Sequence, residues 1–414
     1  MESPVREKAV HAPMDQFPVV NGELHIGGIP ITRLTARVGQ TPFYAYDRRL
    51  ITERVQYLRD TLPKELCLHY AIKANPMPAV VQHLAGLVDG FDLASAGEMK
   101  IALDTPMLAN NISMAGPGKT DKELRQTIAA GITINLESVG EMRRAAQTGE
   151  QLGITPRVAV RVNPDYDLKS SGMKMGGGPK QFGVDAERVP AMLKELASME
   201  LKFIGLHIYW GSQNLNSAAI MEAHEKTFEL ATRLNDHAPS AVQSLNIGGG
   251  LGIPYFPGEN RLDLKPIGEN LNNLLTKLKS QLLNAKVITE LGRFIVGEAG
   301  VYVCKVIDIK ESRGEKFLIT DGGLHHHLAA TGNFGQVIRK NYPIIIANKP
   351  DSRSKEIVNI VGPLCTPLDL LANKMEVSKA DIGDLVAIYQ SGAYGYSASP
   401  QNFLSHPPAI ELLV

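Results

Sequence analysis

The sequence lacks several features that identify large classes of proteins. Its 414 residues include 43 basic side chains (Lys and Arg) and 43 acidic ones (Asp and Glu), so no net charge favours a nucleic acid or an anionic membrane. No apolar run is long enough to cross a bilayer, and residues 1–16 lack the charged-then-apolar pattern of a signal peptide. We therefore expect no nucleic-acid partner and no membrane partner.

Cysteine is also scarce. Cys67, Cys304 and Cys365 cannot form an even set of disulfides, and none has the spacing of a zinc site. Such a chain suits a reducing compartment, so we expect a cytoplasmic protein. With 44% hydrophobic and 21% charged residues, the composition is that of an ordinary globular protein, long enough for two domains.

Strand-like runs alternate with helix-compatible segments through the middle of the chain. Their order is typical of an α/β fold with parallel strands, and it predicts a (β/α)₈ TIM barrel over residues 43–297. Eight such runs are present, at residues 66–72, 90–95, 111–115, 132–136, 157–162, 203–209, 244–247 and 287–290.

After Gly300 the pattern changes, because strand-like runs follow one another without long helices between them. Residues 17–26 have the same hairpin character around a Gly27-Gly28 turn. We therefore predict an all-β domain, a sandwich or barrel, formed by residues 298–414 together with the N-terminal segment 1–42. The C-terminal runs lie at residues 301–309, 316–320, 344–347, 356–361, 385–389 and 409–414.

Lys73 follows the first predicted barrel strand. The run before it alternates apolar side chains and stops at an Asn75-Pro76 breaker, which predicts a buried strand ending next to this lysine. A lysine there is costly to desolvate unless its ammonium reaches solvent or is neutralised in a chemical role. Taken alone, the solvent-exposed lysine is the commoner case.

Polar and glycine residues follow other predicted barrel strands, at the end where barrels bind their ligands. Pyridoxal phosphate would use the whole set: a lysine for a Schiff base, an imidazole to stack on the ring, glycine N–H groups for the phosphate and a carboxylate for the pyridine nitrogen. Taken singly, the glycines could form an ordinary turn, and the histidine could be a core residue. The set comprises Arg161, His207, Ser212, Gly248, Gly249, Gly250, Glu290 and Arg293.

From residue 70 to the C-terminus, the chain resembles the fold-type III pyridoxal-phosphate decarboxylases, which include diaminopimelate, ornithine and arginine decarboxylases. Within that family it is most similar to the diaminopimelate-decarboxylase-like branch associated with exosortase A systems. The resemblance implies an alanine-racemase-like barrel with a β-domain. The matching stretches are residues 70–75, 91–98, 207–213, 246–250, 290–293, 361–365 and 392–395.

The resemblance also implies residue roles. Lys73 would form the Schiff base, Glu290 would pair with the pyridine nitrogen, and Cys365 would return a proton to the substrate from the second subunit of a homodimer. A free cysteine is otherwise most often a small buried hydrophobe. Implied cofactor contacts are Lys73, Asp92, Arg161, His207, Ser212, Gly248, Gly249, Gly250, Glu290, Gly292, Arg293 and Tyr394, and implied substrate contacts are Arg293, Cys365, Asp369 and Tyr394.

Two departures from the family pattern concern the substrate. Diaminopimelate decarboxylases carry an Arg-Pro-Ala-Leu-Tyr stretch and a glutamate after the reactive cysteine, where this chain has residues 325–330 and Thr366. Losing a buried charge partner costs roughly 2–5 kcal/mol of recognition. We therefore predict decarboxylation of another amino acid or aminoacyl derivative. An authentic diaminopimelate decarboxylase and a non-catalytic regulatory homologue remain as alternatives.

The reaction class and the metal content can also be predicted from residue types. A glutamate at position 290 favours decarboxylation, since related racemases place an arginine opposite the ring nitrogen. His325, His326 and His327 are consecutive, so they do not share one face of a strand or helix. We expect no metal site.

Overall fold

The computed structural model describes residues 9–166, 173–174, 176–278 and 285–414. The chain divides into two compact units. One unit comprises Thr52–Gly252 and Leu262–Ile295, and the other comprises Met1–Ile51, Ile253–Arg261 and Val296–Val414. Among the described helices, none combines the length and apolar character needed to span a membrane.

The first unit is a closed barrel of parallel strands, as the sequence predicts. Neighbours in the chain are neighbours in the sheet, and the last strand pairs with the first through Glu290 and His69, which closes the ring. We number these barrel strands one to eight in chain order: Cys67–Ala71, Gly90–Leu93, Ile112–Met114, Thr133–Leu136, Arg157–Asn163, Lys202–Ile208, Ser244–Asn246 and Lys286–Leu291. The short strand Val184–Asp185 pairs with barrel strand five, and Met173–Lys174 and Gly211–Ser212 form a separate two-stranded sheet.

Helices follow the barrel strands, and side-chain caps fix where several of them begin. Ser95 and Ser138 accept hydrogen bonds from the N–H groups of residues three positions later, and Thr120 forms a capping box with Glu123. Such caps stop each strand at a defined residue and so place its C-terminal end. The helices are Arg48–Thr61, Pro78–Leu84, Ala96–Leu103, Asp121–Ala129, Val139–Leu152, Val189–Leu196, Ser217–Asn235, Lys265–Leu278 and Arg293–Val296.

The barrel interior contains polar side chains among apolar ones, whereas most barrels are filled by branched apolar side chains. A cavity of about 660 Å³ opens at the N-terminal ends of the strands, lined by Cys67, Arg157 and Lys286 at its mouth and by His69 and Asn246 further along the strands. It lies at the opposite end of the strands from Lys73, which follows the first barrel strand.

The second unit contains an eight-stranded mixed sheet centred on the long strand Gly300–Ser312. This strand pairs antiparallel with Phe43–Tyr46, Leu385–Ile388 and Glu315–Thr320. The predicted β-domain is therefore present, and it includes N-terminal residues. Its other elements are the strands Val19–Val20, Glu23–Ile26, Ile29–Pro30, Ile344–Ile346, Lys355–Val361, Leu370–Ser378 and Ile410–Leu413, and the helix Ile31–Val38.

The unit bounds differ from the predicted domain bounds at residues 43–51, 253–261 and 296–297. Phe43–Tyr46 is buried along its whole length, and Phe43 and Ala45 join Val301 and Val303 in the core of the second unit. A short, continuously buried run looks the same in a barrel and in a mixed sheet, so its composition does not reveal which sheet it joins.

Candidate active site

Lys73 lies on a short 3₁₀ turn, Ile72–Ala74, directly after barrel strand one. Its side chain is exposed, between buried Ile72 and Ala74. The turn is fixed by Asn75, whose carbonyl accepts the Tyr70 hydroxyl at 2.9 Å and whose side-chain oxygen accepts the Met77 N–H at 3.1 Å. The chain therefore presents an accessible amine on a rigid turn at the C-terminal end of the barrel.

Glu290, on barrel strand eight, is held by side chains from the two preceding strands. His207 Nε2 lies 3.4 Å from Glu290 Oε1, and Asn246 Nδ2 donates to Oε2 at 3.1 Å. Burial would raise the pKa of Glu290, but the charges of His207, Lys73 and Arg161 outweigh it and lower the pKa to about 2. This carboxylate is therefore ionised at neutral pH.

The glycine loop after barrel strand seven is attached to Glu290 through the backbone. The Gly248 carbonyl accepts the Glu290 N–H at 3.0 Å and the Thr289 hydroxyl at 2.9 Å, while its N–H donates to Asn246 Oδ1 at 2.8 Å. A Cβ added at Gly249 would lie 2.0 Å from the Glu290 carbonyl oxygen. Only glycine permits this approach.

The loop also packs against the segment that follows barrel strand six. A Cβ at Gly250 would lie 2.6 Å from the Gly211 carbonyl oxygen and 2.8 Å from the Trp210 ring. Trp210 is buried and meets the ring of His224 edge-on at 6.4 Å. Ser212, in the same segment, lies on a two-residue strand that pairs with Met173–Lys174. The backbone of the glycine loop is thus held next to the segment carrying Ser212.

Arg161, near the end of barrel strand five, is already paired within the protein. Its Nη1 lies 2.7 Å from Glu137 Oε1, and its guanidinium lies 4.9 Å from the centre of the Phe182 ring. The Glu137 oxygens also accept the N–H groups of Gly116 and Gly183, each at 2.7 Å. Burial raises the pKa of Glu137, but Arg161 and these donors lower it overall. The guanidinium is thereby fixed in orientation.

Asp92 lies next to Ala71 in the sheet, on barrel strand two. Ser113 Oγ donates to its Oδ1 at 2.5 Å, and His69 Nδ1 lies 3.4 Å from Oδ2. In the described part of the chain, neither Asp92 Oδ2 nor His69 Nδ1 has a hydrogen-bond partner. Asp92, which is predicted to contact the cofactor, thus belongs to a polar cluster in the barrel interior.

Gly292 allows the end of barrel strand eight to approach the Lys73 turn. A Cβ at this position would lie 2.8 Å from the Ala74 side chain and 3.1 Å from the Ala71 carbonyl oxygen. Arg293 follows as the first residue of the helix Arg293–Val296. The two predicted residues after Glu290 therefore adjoin the turn that carries the lysine.

The second unit carries Cys365, Asp369 and Tyr394. Cys365 is a free, exposed thiol in the loop between the strands Lys355–Val361 and Leu370–Ser378. Asp369 is buried, and burial raises the pKa of its carboxyl although two backbone donors oppose the rise. Tyr394 is half-buried, with its ring 6.4 Å from that of Phe334.

The three consecutive histidines are buried in the second unit. His326 Nε2 donates to the Pro407 carbonyl at 2.9 Å, and His327 Nε2 lies 2.9 Å from Ser391 Oγ. Burial lowers the pKa of His327 to about 3, so the ring is neutral. Within the described residues, no group of His, Cys, Asp and Glu is arranged to hold a metal. His326 and His327 serve as hydrogen-bonded core residues, whereas neither ring nitrogen of His325 has a hydrogen-bond partner among the described residues.

Sequence reasoning missed three residues of this arrangement. Asn246 joins Glu290 to the glycine loop, and Glu137 orients Arg161. Glu98 is the third residue, and the charge of Lys73 acts on its carboxylate. Burial raises the pKa of Glu98, whereas the hydrogen bond that it accepts from the Ala94 N–H and the charge of Lys73 oppose the rise. Asn246 and Glu98 lie inside stretches that carry the family resemblance. No sequence signal pointed to Glu137.

The family described as "Pyridoxal-dependent decarboxylase, pyridoxal binding domain" matches residues 48–297. The chain belongs to this family. It is therefore a pyridoxal-phosphate-dependent decarboxylase, which confirms the fold, enzyme class and cofactor predicted from the sequence. The association with exosortase A systems stays a prediction.

Similar proteins cover nearly the whole of this decarboxylase. An L-glutamyl-[BtrI acyl-carrier protein] decarboxylase of Niallia circulans is 39% identical over 393 residues, 92% of this chain and 90% of the relative. A diaminopimelate decarboxylase of Aquifex aeolicus is 34% identical over 397 residues, 95% of this chain and 91% of the relative. The crystal structure of a diaminopimelate decarboxylase from M. jannaschii with L-lysine matches with a TM-score of 0.86 and 28% identity, covering 96% of this chain and 93% of that one.

The residues of the barrel unit fit pyridoxal 5'-phosphate. Gly249 and Gly250 lie so close to the Glu290 and Gly211 carbonyl oxygens that only glycine fits there. A side-chain-free loop at the end of a barrel strand can hold a phosphate through its N–H groups. Glu290 is a buried anion at a strand end, which suits a protonated ring nitrogen. Lys73 supplies the accessible amine.

Proposed function

We propose that this decarboxylase removes the α-carboxylate of an amino acid or of an aminoacyl group, with Lys73 as the covalent attachment point of the cofactor. The observation that carries the proposal is Glu290, a buried carboxylate held ionised by His207, Asn246 and neighbouring cations. When bound, pyridoxal phosphate accepts the electron pair that the departing CO₂ leaves behind, and a protonated ring nitrogen strengthens that acceptance.

The barrel residues would divide the work of holding the cofactor. Glu290 keeps a proton on the ring nitrogen, and the imidazole of His207, which lies next to it, supports the ring. The N–H groups of Gly249 and Gly250 bind the phosphate together with Ser212 and Arg293, whereas Gly248 holds the loop in place by donating its N–H to Asn246 Oδ1. Arg161, fixed by Glu137, contributes positive charge to the same end of the barrel.

Cys365 would supply the proton that replaces the lost carboxylate. Its thiol is free and exposed on the second unit, so it is available to a site that a second copy of the chain completes. We propose a homodimer in which Cys365 and Tyr394 of one subunit serve the barrel of the other. General acids must reach the reacting atom within hydrogen-bond distance.

The substrate would differ from diaminopimelate. Thr366 follows Cys365 in place of a glutamate, and His325, His326 and His327 are buried and engaged in the core, where they cannot offer a charge to a distal amino-acid group. A relative at 39% identity acts on a glutamyl group attached to an acyl-carrier protein. We therefore propose an aminoacyl group on a carrier, or a free amino acid without a second zwitterionic end.

The attachment point can be tested directly. Purified protein is mixed with pyridoxal phosphate, reduced with borohydride and digested, and the pyridoxyl group is located by mass spectrometry. We expect it on Lys73, with no visible absorbance band in Lys73→Ala and a normal band in the control Lys100→Ala, which changes an exposed lysine on a barrel helix. Labelling of another lysine would refute the proposal.

The substrate class requires a second measurement. CO₂ release is followed with meso-diaminopimelate, free L-amino acids and the same amino acids attached to a carrier protein. We expect CO₂ release from diaminopimelate to be at least tenfold slower than from the preferred substrate, because the distal charges of diaminopimelate lack a partner. Robust turnover of diaminopimelate would establish the alternative, supported by the 34% identical relative. Labelled Lys73 with no turnover of any substrate would indicate a non-catalytic homologue.

A further inference from the structure

Asp369 joins two separate segments of the second unit. We call residues 362–369 the cysteine loop and residues 322–327 the histidine segment. The Leu324 N–H of the histidine segment donates to Asp369 Oδ1 at 2.5 Å. The Leu364 N–H, one residue before Cys365, donates to Oδ2 at 2.8 Å. Each oxygen of one carboxylate therefore binds a different segment.

The same residue closes the neck of the cysteine loop. The Gly362 N–H donates to the Asp369 carbonyl at 3.1 Å, beside the register pair of Val361 with Leu370. The side-chain amide of Asn333 donates a longer hydrogen bond, of 3.3 Å, to the Leu368 carbonyl. Cys365 itself is exposed, so its position depends on how the loop is anchored rather than on packing of the thiol.

Two glycines show that the carboxylate fills its site. A Cβ at Gly323 would lie 2.2 Å from Asp369 Oδ1, and a Cβ at Gly362 would lie 2.4 Å from Oδ2. Asp369 is 3% exposed. With both oxygens bound to backbone amides and glycine on two sides, the carboxylate has no face left for a substrate.

We infer, on the basis of the proposed function of Cys365, that Asp369 is a positioning residue that fixes the cysteine loop to the histidine segment and so places the thiol. The sequence interpretation of Asp369 as a substrate contact is replaced by this role. A catalytic group displaced by about 1 Å can lose about 10²-fold in rate, because proton transfer depends steeply on geometry.

The variant Asp369→Asn tests the clamp. Its amide nitrogen would face a backbone N–H, so one of the two donors loses its acceptor. We expect hydrogen exchange at Leu324 or Leu364 to rise about tenfold, and kcat to fall about 10²-fold while KM changes less than threefold. The exchange measurement needs no substrate, so it separates failure of the clamp from failure of the proposed function.

The control is Glu356→Gln in the same sheet. Glu356 also accepts a backbone N–H, from Ala380 at 2.9 Å, and pairs with Lys316 at 2.6 Å, but it lies outside the cysteine loop. The Glu356→Gln variant should leave kcat and the hydrogen exchange of the cysteine loop unchanged. If Asp369→Asn does not fold, slow exchange of the Leu324 and Leu364 amides in the wild-type protein still supports the clamp, and fast exchange refutes it.

Two results would overturn the inference. A raised KM with an unchanged kcat in Asp369→Asn would mean that the carboxylate binds substrate. Unchanged exchange at both Leu324 and Leu364 would mean that the two bonds do not hold the segments. In either case Cys365 would be positioned by something other than Asp369.

Discussion

At the scale of single residues, the barrel contains a buried ion pair with a defined task. Arg161 and Glu137 are 7% and 2% exposed, and the two oxygens of Glu137 also bind backbone N–H groups on either side. Buried pairs of this kind do little for net stability, but removing one partner leaves an uncompensated charge. The pair therefore sets the orientation of Arg161 at the barrel end.

Replacing Arg161 with Gln should destabilise the cofactor-free protein by about 3 kcal/mol, because the Glu137 carboxylate would stay buried without its cation. Chemical denaturation measures the change. The surface pair of Arg143 with Glu195 serves as control, and Arg143→Gln should have little effect because that pair is solvent-exposed. Equal losses in the two variants would contradict the assigned role.

At the scale of elements, the glycine loop after barrel strand seven and the end of barrel strand eight form one unit. Gly248 shares hydrogen bonds with both Glu290 and Thr289, and Gly249 lies against the Glu290 backbone. A side chain on this loop would separate the two strand ends. Under the proposed function, in which this loop binds the phosphate, phosphate binding and the position of the Glu290 carboxylate would be coupled.

Gly249→Ala should weaken pyridoxal-phosphate binding by at least about tenfold and cost about 1–3 kcal/mol of stability, since its Cβ would overlap the Glu290 carbonyl. Titration followed by visible absorbance measures the affinity. Gly118→Ala is the control, because nothing lies within 4 Å of a Cβ there. Normal affinity of Gly249→Ala for pyridoxal phosphate would show that the loop can move away from the Glu290 carbonyl without weakening cofactor binding.

The types of the secondary-structure elements were largely predictable, because they depend on local sequence patterns. All eight barrel strands follow from apolar runs bounded by breakers, and the strand order follows from the alternation with helices. The strand Leu370–Ser378 was missed because its register shifts and because Lys374 has a positive φ of 48°, which interrupt the two-residue alternation. Bulges of this kind depend on partner strands, which a single sequence does not reveal.

The places of the candidate site residues in the fold were predictable, but the partners of those residues were not. Lys73 and Glu290 stand at strand ends that periodicity locates. The contact of Asn246 with Glu290 and the pairing of Glu137 with Arg161 arise between distant parts of the chain. Asp369 lies in a recognisable motif, yet its two amide partners are fixed only by the folded sheet.

At the scale of the whole molecule, buried neutral histidines make stability depend on pH. Burial lowers the pKa of His224 to about 4 and that of His327 to about 3. Unfolded histidines titrate near pH 6.5, so below that pH the unfolded chain binds protons that the folded chain does not. Their contribution to stability is complete above pH 6.5 and is lost as the pH falls towards 4 and then 3.

Each of these histidines should lower the free energy of unfolding by up to about 1.4 kcal/mol for every pH unit below pH 6.5. We therefore expect His327→Gln to lose less stability between pH 7.5 and pH 5 than the wild type, measured as the shift in thermal midpoint. His237→Gln, which changes an exposed histidine, should follow the wild-type slope. Parallel slopes for all three proteins would show that His327 titrates normally.

Trp210 is the sole tryptophan of the chain. Its ring lies against Gly250, so the tryptophan fluorescence of the entire protein originates beside the glycine loop. An absorbing ring bound nearby would quench that emission by energy transfer. The natural protein thus carries its own optical reporter, and occupancy of the barrel can be followed in real time without a label.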